Sequence, residues 1–104
     1  RGEAPLDMRM NQRGRLTAAD VVNSYSAEEL TRVLGDWGEL ETPWKVAGCL
    51  VKARTAERIG TTAELVAAVR PCTPRKDEAK FLTKLFQALR IEVNGEMEAL
   101  RMAP

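Results

Sequence analysis

Histidine is absent from these 104 residues, and cysteine, phenylalanine and tyrosine are scarce, at two, two and one. Without an imidazole the chain by itself cannot run histidine-based acid–base or nucleophilic catalysis. Cys49 and Cys72 stand in no CxxC spacing, and two thiols alone leave half a tetrahedral zinc site unfilled. They read as a free, reduced pair in a cytoplasmic protein. Cys72 stands near Pro71 and Pro74 at a helix end, so we expect it to react faster than Cys49, near the buried side of its helix. No apolar run approaches the ~20 residues that a membrane span needs, and no signal-peptide pattern is visible. The seven glycines are scattered, at 2, 14, 35, 38, 48, 60 and 95. None forms a GxGxxG or P-loop, so we expect no cofactor or phosphate cradle within this stretch. A formal charge of +1 excludes a global pull toward nucleic acid or membrane and leaves only local patches. The first residue is Arg rather than Met, and we expect a piece of a longer protein.

What is present is the composition of one ordinary globular domain, 44% hydrophobic and 30% charged. The C-terminal stretch organises it. Leu82, Leu85, Phe86, Leu89, Val93, Met97 and Leu100 recur at helical steps. Phe81, Ala88, Ile91, Gly95, Ala99 and Met102 make a second stripe beside the first. Two stripes ask for cover on two sides. Either this helix is the centre of a bundle, or part of its cover lies elsewhere in a larger protein. In the second case the isolated chain would self-associate through Phe81, Ala88 and Ile91.

Upstream, start and stop signals outline four more helices. Thr17 with Asp20 makes a capping box, with Leu16 and Val21 placed for a hydrophobic staple, and Ser26 with Glu29 makes a second box. Leu30, Val33, Leu34 and Trp37 follow helical spacing up to a stop at Gly38. Thr42 and Pro43 open a third helix that buries Trp44, Ala47, Gly48, Leu50 and Val51 and ends before Gly60. Thr61 or Thr62, with Glu64, opens a short fourth, ended by Pro71 and Pro74. Thr73 or Asp77 starts the fifth. The predicted fold is all-α, a compact five-helix bundle with short loops and steep crossings. Residues 1–15 read as extended, with Leu6, Met8 and Met10 alternating as in a strand for which no partner is evident.

Chemistry is sparse. The acidic residues sit where caps and solvated faces want them. Trp37 and Trp44 bracket a loop and would either stack a base or fill core, the second being the commoner use. Arg9, Arg13 and Arg15, with Lys52, Arg54 and Arg58, would meet a phosphate backbone. Cations near a helix C-terminus also have a local electrostatic reason to be there. Arg75, Lys76, Lys80 and Lys84 form a further basic stretch, diluted by Asp77 and Glu78.

Two stretches are more specific. Pro5-Leu6-Asp7-Met8-Arg9-Met10-Asn11 resembles the Pro-Leu-Asp-Met-Arg-Met-Asp signature of the bacterial ribosomal RNA small-subunit methyltransferase H family, with Asn11 in place of its last Asp. Phe86-Gln87-Ala88-Leu89-Arg90-Ile91-Glu92-Val93-Asn94, followed by Glu96, resembles that family's second signature. The resemblance covers nearly the whole chain. It implies S-adenosylmethionine-dependent methylation of a cytidine N4 in 16S ribosomal RNA of the small ribosomal subunit, in the bacterial cytoplasm. It also implies a Rossmann-like core interrupted by a sterile-alpha-motif-like helical insert. Residues 1–15 would leave that core, 16–75 would be the insert and 76–104 the helix that returns. The cofactor-holding residues would lie outside this chain. Asp7 and Arg9 would border the base pocket, Asp7 on the cytosine amine and Arg9 on a phosphate, unless they only pair with each other. Asn11, Arg13, Arg15, Arg54, Gln87 and Arg90 complete the expected substrate-facing set, and Asn94 is expected on neighbouring backbone. The rival is a stand-alone helical module that binds protein or RNA through the second stripe.

Overall fold

The signals for helix starts are obeyed almost to the residue. The computed structural model describes residues 4–9 and 16–102, with side chains through residue 95. It has five helices: α1 Ala18–Ser24, α2 Ala27–Asp36, α3 Pro43–Ala56, α4 Thr62–Val69 and α5 Glu78–Met102. A single 3-10 turn at Arg70–Cys72 follows α4, where Pro71 prevents a regular continuation. Capping boxes close the N-termini of α1, α2 and α4 through Thr17 with Asp20, Ser26 with Glu29, and Thr61 with Glu64. Thr42 stands at the N-cap of α3 without a side-chain cap bond, and Pro43 takes the first helical position.

The core shares its layers among all five helices and the N-terminal segment. Val21, Val22, Leu30, Leu34, Leu50, Leu65, Leu85 and Leu89 are fully buried, and α2 packs most extensively on α3. No buried side-chain nitrogen or oxygen among the described residues lacks a partner. Asn23 shows how this is met. Its amide donates to the carbonyls of Ala19 and Ile59, both at 2.7 Å, and its oxygen accepts from the Ile59 amide at 2.9 Å. That ties α1 to the loop before α4.

Segment 4–9 has the strand partner that the sequence did not reveal. Pro5 pairs with Thr61 in an isolated antiparallel bridge. The Leu6 amide donates to the Gly60 carbonyl and the Thr62 amide to the Ala4 carbonyl, each at 3.1 Å. At the start of α1 the amides of Ala18 and Ala19, which have no acceptor within the helix, donate to the carbonyls of Asp7 at 2.8 Å and Leu6 at 2.9 Å. Leu6 itself is buried in the core.

Three expectations need correction. On α5, Phe81, Leu85, Ala88, Leu89 and Val93 are all buried and form one arc. Heptad steps such as 81 to 88 drift by only about 20° on a straight helix, so the sequence reading split one face into two. Phe81 and Ala88 are therefore bundle core and offer no surface for self-association or for the rival module, while Ile91 is half-buried. Met97, Ala99, Leu100 and Met102 lie outside the described side chains. On α3 the buried residues are Val46, Ala47 and Leu50. Trp44 is 60% exposed and Gly48 is open, and Trp37 at the end of α2 is also on the surface. Apolar residues lie all round α3, so spacing alone could not choose its inner face. Gly38 does not supply a left-handed stop; Glu39 takes that conformation, at φ 55°. Gly38 is needed for room, because an added Cβ would lie 2.8 Å from the Lys84 carbonyl oxygen and 3.0 Å from Ala88 Cβ.

Candidate substrate-facing junction

The two sequence signatures meet at one place. Asn94, late on α5, donates from Nδ2 to the Met8 carbonyl at 3.1 Å and to the Arg90 carbonyl of its own helix at 2.8 Å. The side-chain amide thus stitches segment 4–9 to α5 across 86 residues of chain. Met8 holds φ at 64°, a conformation that costs a non-glycine residue free energy and that collects at functional junctions.

Around this stitch Asp7 and Arg9 form a closed fork. Arg9 Nε donates to Asp7 Oδ1 at 2.7 Å, Arg9 Nη2 to Oδ2 at 2.8 Å, and the Arg9 backbone amide to Oδ1 at 3.0 Å. The guanidinium and amide of Arg9 hold the Asp7 carboxyl below the usual carboxylate range. Asp7 keeps 36% of its side chain exposed and Arg9 keeps 22%. Beside them Met8, Thr83, Phe86, Gln87 and Arg90 line an open hollow of about 380 Å³. Residues 83, 86, 87 and 90 lie on one helical face, and Gln87 Nε2 donates to the Trp37 carbonyl at 3.3 Å, fixing that face against the end of α2. The hollow itself offers the Arg90 side chain and a half-buried aromatic, Phe86, while Asp7 and Arg9 pair with each other on either side of Met8.

The expected set divides. Gln87 and Arg90 line the hollow, and Asp7 and Arg9 pair with each other on either side of Met8, which also lines it. Asn11, Arg13 and Arg15 lie outside the described residues. Arg54 does not join: its guanidinium donates to the carbonyls of Val22 at 3.1 Å and Tyr25 at 2.5 Å, closing the end of α1 as a cation does at a helix C-terminus. Sequence reasoning missed Glu92, assigned to a solvated face. It accepts from the Tyr25 hydroxyl at 2.6 Å and from Trp37 Nε1 at 3.0 Å, joining the ends of α1 and α2 to α5. Only its place on the fringe of the apolar arc hinted at this. Burial, helped by Glu92, raises the Tyr25 hydroxyl well above its ordinary range.

The cysteines are both free. Burial, with the Cys49 thiol beside it, pushes Cys72 up to about 12. That argues against a fast-reacting Cys72, because the thiolate is the reactive form. Among the described residues no group of three or more His, Cys, Asp or Glu side chains could hold a metal ion. None of the helices is long and apolar enough to cross a membrane.

The chain is 50% identical over 101 residues to the ribosomal RNA small subunit methyltransferase H of Bacteroides fragilis, covering 97% of this chain and 33% of that protein. The same figures hold for its counterpart in Bacteroides thetaiotaomicron. For Elusimicrobium minutum the identity is 48% over 96 residues, 92% of this chain and 33% of the relative. The chain therefore spans about a third of the length of the curated relatives it matches. A family model described as the MraW methylase family matches residues 1–103, and the chain belongs to that family.

Proposed function

We propose that this chain is the substrate-facing helical part of an S-adenosylmethionine-dependent methyltransferase acting on the N4 of a cytidine in 16S ribosomal RNA of the small subunit. In the whole protein, residues 1–15 leave a Rossmann-like catalytic core, 16–75 form a sterile-alpha-motif-like insert and 76–104 return to the core. The setting is the bacterial cytoplasm. The observation that carries this reading is the stitch between Asn94 and the Met8 carbonyl, which gathers both signature segments around one hollow. The described residues do not fit the cofactor: they make no strand–glycine loop–helix unit to cradle it.

What these residues contribute is positioning. A cytidine must be unstacked before its amine can be reached. Phe86 and Met8 would support the extruded base, and Arg9 or Arg90 would hold its phosphate. Asp7, kept anionic by Arg9, would accept a hydrogen bond from the N4 amine and aim its lone pair. Orientation of this kind supplies much of the rate in a direct transfer.

The test is methyl transfer by the whole protein to small subunits that lack the modification, with the product mapped to the cytidine N4. We expect transfer by the whole protein and none by the 104 residues alone. Asp7→Asn should lower kcat by about a hundredfold, with only the small loss of thermal stability expected for an exposed ion pair. A rate unchanged by that substitution would reduce Asp7 to a partner of Arg9.

A further inference from the structure

Gly48 has no structural reason to be glycine. It lies in the interior of the 14-residue α3, where glycine costs about 1 kcal/mol relative to alanine. Its φ is not positive, and a Cβ built on it meets nothing within 4 Å. The space above it is open, and its neighbours are distinctive. Trp44 and Lys52 lie four residues to either side, so the three share one row along the helix. Trp44 is 60% exposed, and Lys45 and Lys52 are exposed as well. Gly48 and Lys52 of this row border an open hollow of about 610 Å³, whose lining also includes Lys45 but neither Trp44 nor any acidic residue. At Pro74 it adjoins a second hollow lined by Lys76, Lys80 and Lys84 as well as Glu41 and Asp77.

We infer that this face of α3 binds a single-stranded segment of nucleic acid: one unpaired base lies on Trp44 and over bare Gly48, with the flanking phosphates on Lys45 and Lys52. An exposed indole beside cations is how unpaired bases are held without reading their sequence. A glycine one turn on leaves the floor flat where a side chain would meet the ring or sugar. The run of lysines past Pro74 would give the strand a continuing path. This site shares no residue with the junction hollow. It deepens the reading of the chain as part of a ribosomal RNA methyltransferase, on which it rests, by assigning a second contact for the same RNA.

The experiment uses the full-length protein and measures binding to a single-stranded oligoribonucleotide, to a blunt RNA duplex and to unmodified small subunits, alongside methyl transfer. Trp44→Ala should weaken single-strand binding about tenfold, and Trp44→Phe should restore most of it. Lys45→Gln with Lys52→Gln should flatten the slope of log affinity against log salt by about 1.4. Gly48→Leu separates the idea from any structural role: its melting temperature should rise while its affinity for the single strand falls. Unchanged affinity in Trp44→Ala and Gly48→Leu, in a protein that still methylates, would sink this inference and leave the enzymatic reading standing. Equal losses on the duplex would refute the stacked base. Weakened binding to subunits but not to naked RNA would assign the face to a ribosomal protein instead. A wild-type protein that neither binds RNA nor transfers a methyl group would remove the enzymatic reading and this one with it.

Discussion

Gly38, in the turn after α2, and Gly48, inside α3, are the same residue type held by opposite circumstances. At Gly38 a methyl group would press on the Leu34 and Lys84 carbonyl oxygens, at 2.9 and 2.8 Å, and neither backbone can yield without separating α2 from α5. Gly38→Ala should therefore destabilise the fold by about 1–3 kcal/mol. Gly48→Ala should stabilise it by about 0.5–1 kcal/mol. Urea unfolding of the two variants checks both signs: a stabilised Gly38→Ala would refute the account of Gly38, and a destabilised Gly48→Ala that of Gly48. The thiols add a kinetic prediction at this scale. A thiol held up to about 12 by burial carries almost no thiolate at pH 8, so Cys72 should be alkylated far more slowly than an unstructured cysteine.

For the individual helices, capping separates α3 from α1, α2 and α4. Ser26→Ala removes the oxygen that accepts from the Glu29 amide at 3.1 Å and should cost about 1 kcal/mol. Thr42→Ala removes no cap bond and should cost only a few tenths. Comparable losses would mean that Thr42 stabilises α3 by another route. On α5, Leu89 is fully buried and Ile91 half-buried. Leu89→Lys should abolish the cooperative melt, whereas Ile91→Lys should keep the helical circular dichroism of the bundle.

Over the whole molecule, linked protons bound the range of greatest stability. Asp7, Glu29 and Glu64 all have folded-state values below the ordinary carboxylate range. For Asp7 the first cause is the Arg9 side chain, for Glu29 the Ser26 backbone amide and for Glu64 the Gly60 backbone amide. The unfolded chain binds their protons first as pH falls. Their contribution is complete above about pH 5 and is lost through and below about pH 4. Tyr25 has the opposite sense. Its folded value is raised by burial and then by Glu92, so the unfolded chain loses that proton first, and stability falls as pH rises past about 10. Urea midpoints across pH should show a plateau between these limbs. Tyr25→Phe should soften the alkaline limb, and a limb identical in both proteins would remove Tyr25 as its cause.

What the sequence by itself determined was local: five helices, their capped starts, the proline stop after Val69 and the two segments that bear the family signatures. Caps, prolines and helical spacing act within a few residues, so they can be read without knowing what lies across the core. The tertiary structure decided what depends on distant partners. Trp44 rather than Val46 faces outward because α3 has apolar residues on every side and only its packing chose among them. Phe81 and Ala88 are buried because α5 presents one wide arc, not two faces. Arg54, which spacing offered to a phosphate, was taken by the carbonyls of Val22 and Tyr25 at the end of α1. Glu92 left the solvated face for Tyr25 and Trp37, 67 and 55 residues away in the chain. The junction itself exists only in three dimensions, because the Asn94–Met8 bond needs both ends of the chain folded against each other before the hollow has walls.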